Sequence, residues 1–154
     1  MNVLLAGANE AMISALSLVL KVMRHDWRIE EVTLFSDAVA HLPKKPDLVV
    51  VCGQVQMSQA DSEKYHLGDT CNFRTSAMHL CRFIRQAQGD WGRTVPIACC
   101  VAPAWDDDSR KYCHEVDIIL GSLCGQRVEI GLSAEQLAND VIVAWEYMQQ
   151  VRSL

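Results

Sequence analysis

Seven cysteines, at positions 52, 71, 81, 99, 100, 113 and 124, carry most of the chemical potential of this 154-residue chain. A cysteine does nucleophilic or sensing work as its thiolate, which needs a nearby cation or helix N-terminus. For Cys52 the cations downstream are Lys64, His66 and Arg74. The commoner role of a free cysteine is a small buried hydrophobe, and the apolar run before Cys52 favours that role. Cys81, Cys99 and Cys100 also lie in apolar patterns and read as core. An odd number of thiols without secretory features points to a reduced state rather than a disulfide framework. There is no CxxC pair, and His66, Cys71, His79 and Cys81 match no established zinc spacing, so no metal is expected.

Two other motifs have residue types that could do chemistry. Gly7-Ala8-Asn9 could let a phosphate approach a helix N-terminus. It lacks the later glycines of a dinucleotide fingerprint and reads as a tight strand-to-helix turn. Asp106-Asp107-Asp108 lacks the remaining ligands of a calcium loop and suits a helix start, where carboxylates meet the positive end of the macrodipole. No nucleophile–base pair or cofactor fingerprint can be assembled, so neither an enzyme nor a cofactor is expected.

These residues hang on an alternation of strands and helices. Residues 2–6 form a short apolar strand, and positions 12, 13, 16, 19, 20 and 23 follow a helical period. Residues 29–35 alternate, as in a strand near an edge. Ser36 can cap a short helix through Leu42, stopped by Pro43. Residues 47–52 are a continuous apolar run closed by Gly53, the pattern of a strand covered on both faces. The 54–74 segment is polar and aperiodic, with Gln54, Asp69 and Cys71 among its residues, and is expected to be a long loop over the site. A helix follows from Thr75 or Ser76 to about Gln88, ended by Gly89 and Gly92. The remaining elements are a strand at 95–101, a short helix through Cys113, a strand at 116–120 leading to Gly121-Ser122, and a last helix to Arg152. Ser133 and Gln136 offer that last helix a capping box. Strict alternation means one domain, residues 1–154, with a doubly wound parallel α/β sheet.

The net charge is −5 and the pI about 5.4, with no Lys/Arg cluster, which argues against nucleic acid as a partner. No window is long and apolar enough to span a membrane, and residues 2–8 lack a basic leader, so a cytoplasmic protein is expected.

The element order and the strand ends, best matched over residues 2–9, 45–52, 80–86 and 94–102, resemble the CheY-like receiver domain of bacterial response regulators. The resemblance implies a five-stranded sheet in the order 2-1-3-4-5. It also implies an acidic magnesium pocket, a phosphoacceptor aspartate, a hydroxyl residue ending the fourth strand and a lysine ending the fifth. Mapped by position, the acidic pair falls on Gly7 and Ala8, with Asn9 and Glu10 just beyond. The aspartate falls on Cys52, the hydroxyl on Val101 and the lysine on Ser122. None of the required groups is present, so the expectation is a pseudo-receiver in signal transduction that works without phosphate, by protein contact or dimerisation. The alternative is a small-molecule or redox sensor centred on Cys52. In the last helix Ala138, Ile142 and Trp145 widen the apolar stripe and are expected to form the interface, with His66 and Arg74 adding a second contact surface.

Overall fold

Strand β3, Leu48–Cys52, is buried at all five residues, and so is β4, Ile97–Val101. Such unbroken apolar runs suit only the middle of a parallel sheet with helices on both faces. In the computed structural model, which describes residues 1–68 and 73–154, they lie beside β1 (Asn2–Ala6) at the centre of one five-stranded sheet. The edges are β2 (Arg28–Val32) and β5 (Gly125–Glu129), both mixed in polarity because one side of each pairs with nothing in the sheet. All strands run parallel in the order β2-β1-β3-β4-β5.

Successive strand residues point to opposite faces, so two cores result. Leu4, Val49, Val51, Ile97 and Cys99 face α2 (Phe35–His41), α4 (Ser76–Ala87) and α6 (Asp107–Leu120). Val3, Leu5, Val50, Cys52, Ala98 and Cys100 face α1 (Glu10–Met23) and α7 (Ala134–Arg152). Helix starts are capped locally. The Asn9 side chain accepts the Met12 N–H, and Asp106 forms a reciprocal box with Ser109. Ser133 accepts the Gln136 N–H, while the Gln136 amide turns instead to Asp140.

Several expectations are corrected. Residues 116–120 are the end of α6, not a strand: Cys113, Val116 and Leu120 are buried at helical spacing while Ile118 is exposed. The fifth strand is the polar segment Gly125–Glu129. Ser36 lies inside α2, whose N-cap is Leu34, without a side-chain bond. Gly92 does not end a helix but sits within α5 (Gly89–Thr94), where a Cβ would strike the Ile84 carbonyl. The 54–74 segment is not all loop. Ser58 and Asp61 box the start of α3 (Gln59–Lys64), and a 3-10 turn spans Phe73–Thr75. Asp69 and Cys71 lie outside the described residues.

The widened stripe of α7 also has a different cause. The helix packs on the sheet and on α1 together, so two neighbours cover it. Ala138 and Ile142 are buried, and Trp145 is half-buried edge-on against Trp27 with ring centroids 6.2 Å apart. None of the three is a free contact surface. The exposed apolar residues of α7 are Val143 and Tyr147.

Candidate functional site

The carboxyl ends of the strands are where open parallel sheets gather their chemistry. Here β1 runs into Gly7 and Ala8, β3 ends at Cys52, and β4 ends at Val101. These four of the five mapped positions come together. Ser122 does not: it sits in the turn before β5, at the opposite end of the sheet. The residue across from Val101 is Glu129, and the next residue, Ile130, donates its N–H to the Val101 carbonyl at 2.8 Å. The end of β5 beside Val101 therefore carries a carboxylate.

The cleft between β1 and β3 is closed by backbone. Gly7 donates to the Val32 carbonyl (3.0 Å) and Ala8 to the Gln54 carbonyl (2.6 Å). Residues 54–56 then cross toward β2, with Gln56 N–H on the Thr33 carbonyl (2.9 Å) and Phe35 N–H on the Gln56 carbonyl (2.7 Å). The approach is so close that a Cβ at Gly7 would collide with the carbonyl oxygen of Cys52. Position 7 is thus glycine for space. Gly53 lets the chain leave β3 with a φ of 69°, while its N–H bonds the Cys100 carbonyl at 2.9 Å.

Cys52 is buried beneath this lid. Its thiol donates to the Met12 sulfur of α1 at 3.3 Å and lies beside the thiol of Cys100, its register partner in β4. Hydrogen bonding from Cys100 to the ionised thiol draws the Cys52 pKa below the ordinary thiol value against the opposing pull of burial. The same bond pushes Cys100 well up, and burial adds to it. On the opposite face Cys99 is pushed up by its bond to Cys81 and by burial. Lys64, His66 and Arg74, the expected cations, are not what acts on Cys52; the groups that matter are two other sulfurs. In the sequence Cys100 reads as core and Met12 only as part of the helical period of α1. The doubled Cys99-Cys100 was the available signal, since neighbours on a strand face opposite sides and one of them must share the Cys52 face.

A polar network stands beside the thiols. The Gln54 carboxamide oxygen accepts from Ala77 N–H (2.9 Å) and Ser76 hydroxyl (3.1 Å), and its nitrogen donates to the Tyr112 hydroxyl (3.3 Å). Ser76 Oγ accepts the Val55 N–H at 2.9 Å. Burial pushes the Tyr112 pKa far up, so the phenol stays neutral and accepts this bond. The network ties the exit of β3 to the N-terminus of α4. His66, with a φ of 55°, and Arg74 are both exposed on the 54–74 segment. His79 and Cys81 are buried on α4, and no group of three or more His, Cys, Asp or Glu is placed to hold a metal among the described residues.

Neither a family model nor a curated protein matches the sequence. Solved structures do. The receiver domain of the sensor histidine kinase PA1611 from Pseudomonas aeruginosa, with magnesium coordinated in its active-site cleft, superposes with a TM-score of 0.64 at 17% identity, covering 96% of this chain and 97% of that one. The chemotaxis response regulator CheY4 of Vibrio cholerae gives 0.62 at 11% identity, over 93% and 97%. The receiver domain of AraT from Geobacillus stearothermophilus gives 0.62 at 11%, over 98% and 97%. The fold is that of CheY-like receivers. At these identities the likeness speaks for the receiver fold and its strand order. The chemistry of the strand ends rests on the residues just described.

Proposed function

We propose that this receiver-like chain is a regulatory, non-catalytic domain of signal transduction that works without phosphorylation, through contact with a protein partner or a second copy of itself. The close approach of Gly7 to the Cys52 carbonyl carries the reading. Magnesium demands near-octahedral hard oxygen ligands, and a carboxylate at position 7 has no room for its own Cβ. The group ending β3 is a thiol lying between two other sulfurs, and a thiol cannot form an acyl phosphate. With Val101 and Glu129 completing the ring, neither a hydroxyl nor a lysine is available to sense a phosphoryl group.

The contact surface best supported is the face of α6, β5 and α7. Among the described residues the outer edge of β5 pairs with no strand, and Ile118, Leu123, Val143 and Tyr147 are exposed apolar residues of this face. Exposed apolar groups around an open edge strand favour pairing with another surface. His66 and Arg74 form a second, polar contact region at the strand ends. The net charge of −5 supports a protein rather than nucleic acid as the partner, and no described helix is long and apolar enough to cross a membrane.

Two measurements test this. Beryllofluoride with magnesium should leave the amide NMR spectrum unchanged; a saturable shift around Cys52 refutes phosphate independence. Tyr147→Glu and Val143→Glu should lower self-association or partner capture in sedimentation and pulldown at unchanged thermal stability. Undiminished assembly in both refutes the edge-face assignment.

A further inference from the structure

Three sulfurs from three elements meet at the strand ends: Met12 from the first turns of α1, Cys52 from β3 and Cys100 from β4. Cys52 lies 3.3 Å from the Met12 sulfur and beside Cys100 across the β3–β4 ladder. Cys52 and Cys100 are register partners, so a parallel ladder fixes their separation, and both point to the α1–α7 face. Their surroundings are apolar: Leu5, Ile13, Val50 and Ala98 belong to the same cluster. Met12 is the most exposed of the three and forms the cover.

Ordinary packing explains one buried cysteine. It does not by itself explain a thioether laid on one thiol while a second thiol flanks it from the neighbouring strand. Two thiols and a thioether are a soft donor set, poor for magnesium or calcium and suited to a monovalent soft cation. Such an ion is content with two or three sulfur ligands and needs no water, which agrees with a dry, sulfur-lined site.

We propose that Met12, Cys52 and Cys100 form a binding site for Cu(I), the ion seated among the three sulfurs under the Met12 cover. Binding changes no oxidation state. One or both S–H protons pass to water as the thiols become thiolates, and as the Cu–S bonds form the Cys52–Met12 hydrogen bond is lost. The side chains open slightly from their sulfur–sulfur contact to admit the ion, a rotation that the flexible methionine allows. This goes beyond the contact function and stands independently of it, since signalling by the α6–β5–α7 face requires no ion at the strand ends.

The test is an anaerobic titration of the reduced full chain against Cu(I) held by a chromogenic chelator, with X-ray absorption at the copper edge. One equivalent should leave the chelator and show two or three sulfur neighbours. Met12→Leu conserves volume and keeps the fold, which far-UV circular dichroism checks, and should weaken binding roughly tenfold or more. Cys52→Ala should abolish it, and Cys124→Ser, Cys71→Ser and Cys81→Ala should leave it intact. No copper withdrawn from the chelator, equal affinity in Met12→Leu, or loss of the equivalent in any of those three control variants overturns the assignment.

Discussion

Replacing Arg85 with methionine removes four hydrogen bonds at once. The guanidinium of Arg85, on α4, donates to the carbonyls of Gly92 (3.0 Å), Val95 (2.7 Å), Leu120 (3.1 Å) and Cys124 (3.0 Å). Those oxygens close the ends of α5 and α6 and the entry to β5, so one side chain joins three segments at the end of the sheet remote from Cys52. Among the described residues no carboxylate is bonded to it, and desolvation draws its pKa down. The negative end of the α6 macrodipole is part of what holds the charge there. Methionine keeps the aliphatic stem and leaves four carbonyls without their donor. At about 0.5–1.5 kcal/mol net for each bond, and with water reaching a half-buried site, the expected loss is about 3 kcal/mol. For a chain of this length that is a fall in melting temperature of roughly 6–12 °C. Arg85→Lys, which can reach fewer of the four oxygens, should lose about half as much. Urea unfolding followed by circular dichroism, with the slope unchanged, measures both. A loss below about 1 kcal/mol for Arg85→Met, or equal losses for methionine and lysine, refutes the clamp.

Three further outcomes are expected. Gly7→Ala should destabilise by about 1–3 kcal/mol through the clash with the Cys52 carbonyl, and a neutral urea midpoint refutes that contact. His79 is buried, and desolvation with the Arg82 charge lowers its pKa, so the unfolded chain binds a proton that the folded chain refuses. Stability should therefore fall as pH drops through the unfolded value near ~6.5 and level off below the folded one, by at most about 1.4 kcal/mol per pH unit; His79→Leu should flatten that dependence, and an unchanged profile refutes it. Trp145→Ala should cost about 2–4 kcal/mol without altering the sedimentation profile, because its ring packs on Trp27; dissociation without destabilisation would restore it to an interface.

The central sheet was legible because β3 and β4 are apolar from end to end, and α1 because its period is unbroken. The fifth strand was not. Gly-Gln-Arg-Val-Glu carries almost no hydrophobic signal, since an edge strand is only partly covered, while Val116-Asp117-Ile118-Ile119-Leu120 imitates a strand although its buried members are spaced for a helix. That exchange displaced the expected fifth-strand residue from Glu129 to Ser122. Helix α3 buries nothing and so has no period to detect; the Ser58/Asp61 box was its one local mark. At the site, Cys52, Gly7 and Ala8 could be placed from strand ends alone. Met12 and Cys100 could not be paired with Cys52 without the register between β3 and β4 and the angle at which α1 crosses the sheet.

The approach of Gly7 to the Cys52 carbonyl sets an order of operations for anyone redesigning this domain to accept phosphate. Writing Cys52→Asp first would bury a carboxylate beside Met12 and Cys100 with no cation to receive it. Writing an acid at position 7 first would push β1 away from β3 before any ligand was there to hold them. The backbone between residues 6 and 9 has to be re-routed before either letter is changed. The contact behaves as a latch: it makes the sulfur-lined state robust to single substitutions and leaves acidic chemistry accessible only by a concerted rebuilding of two strand ends.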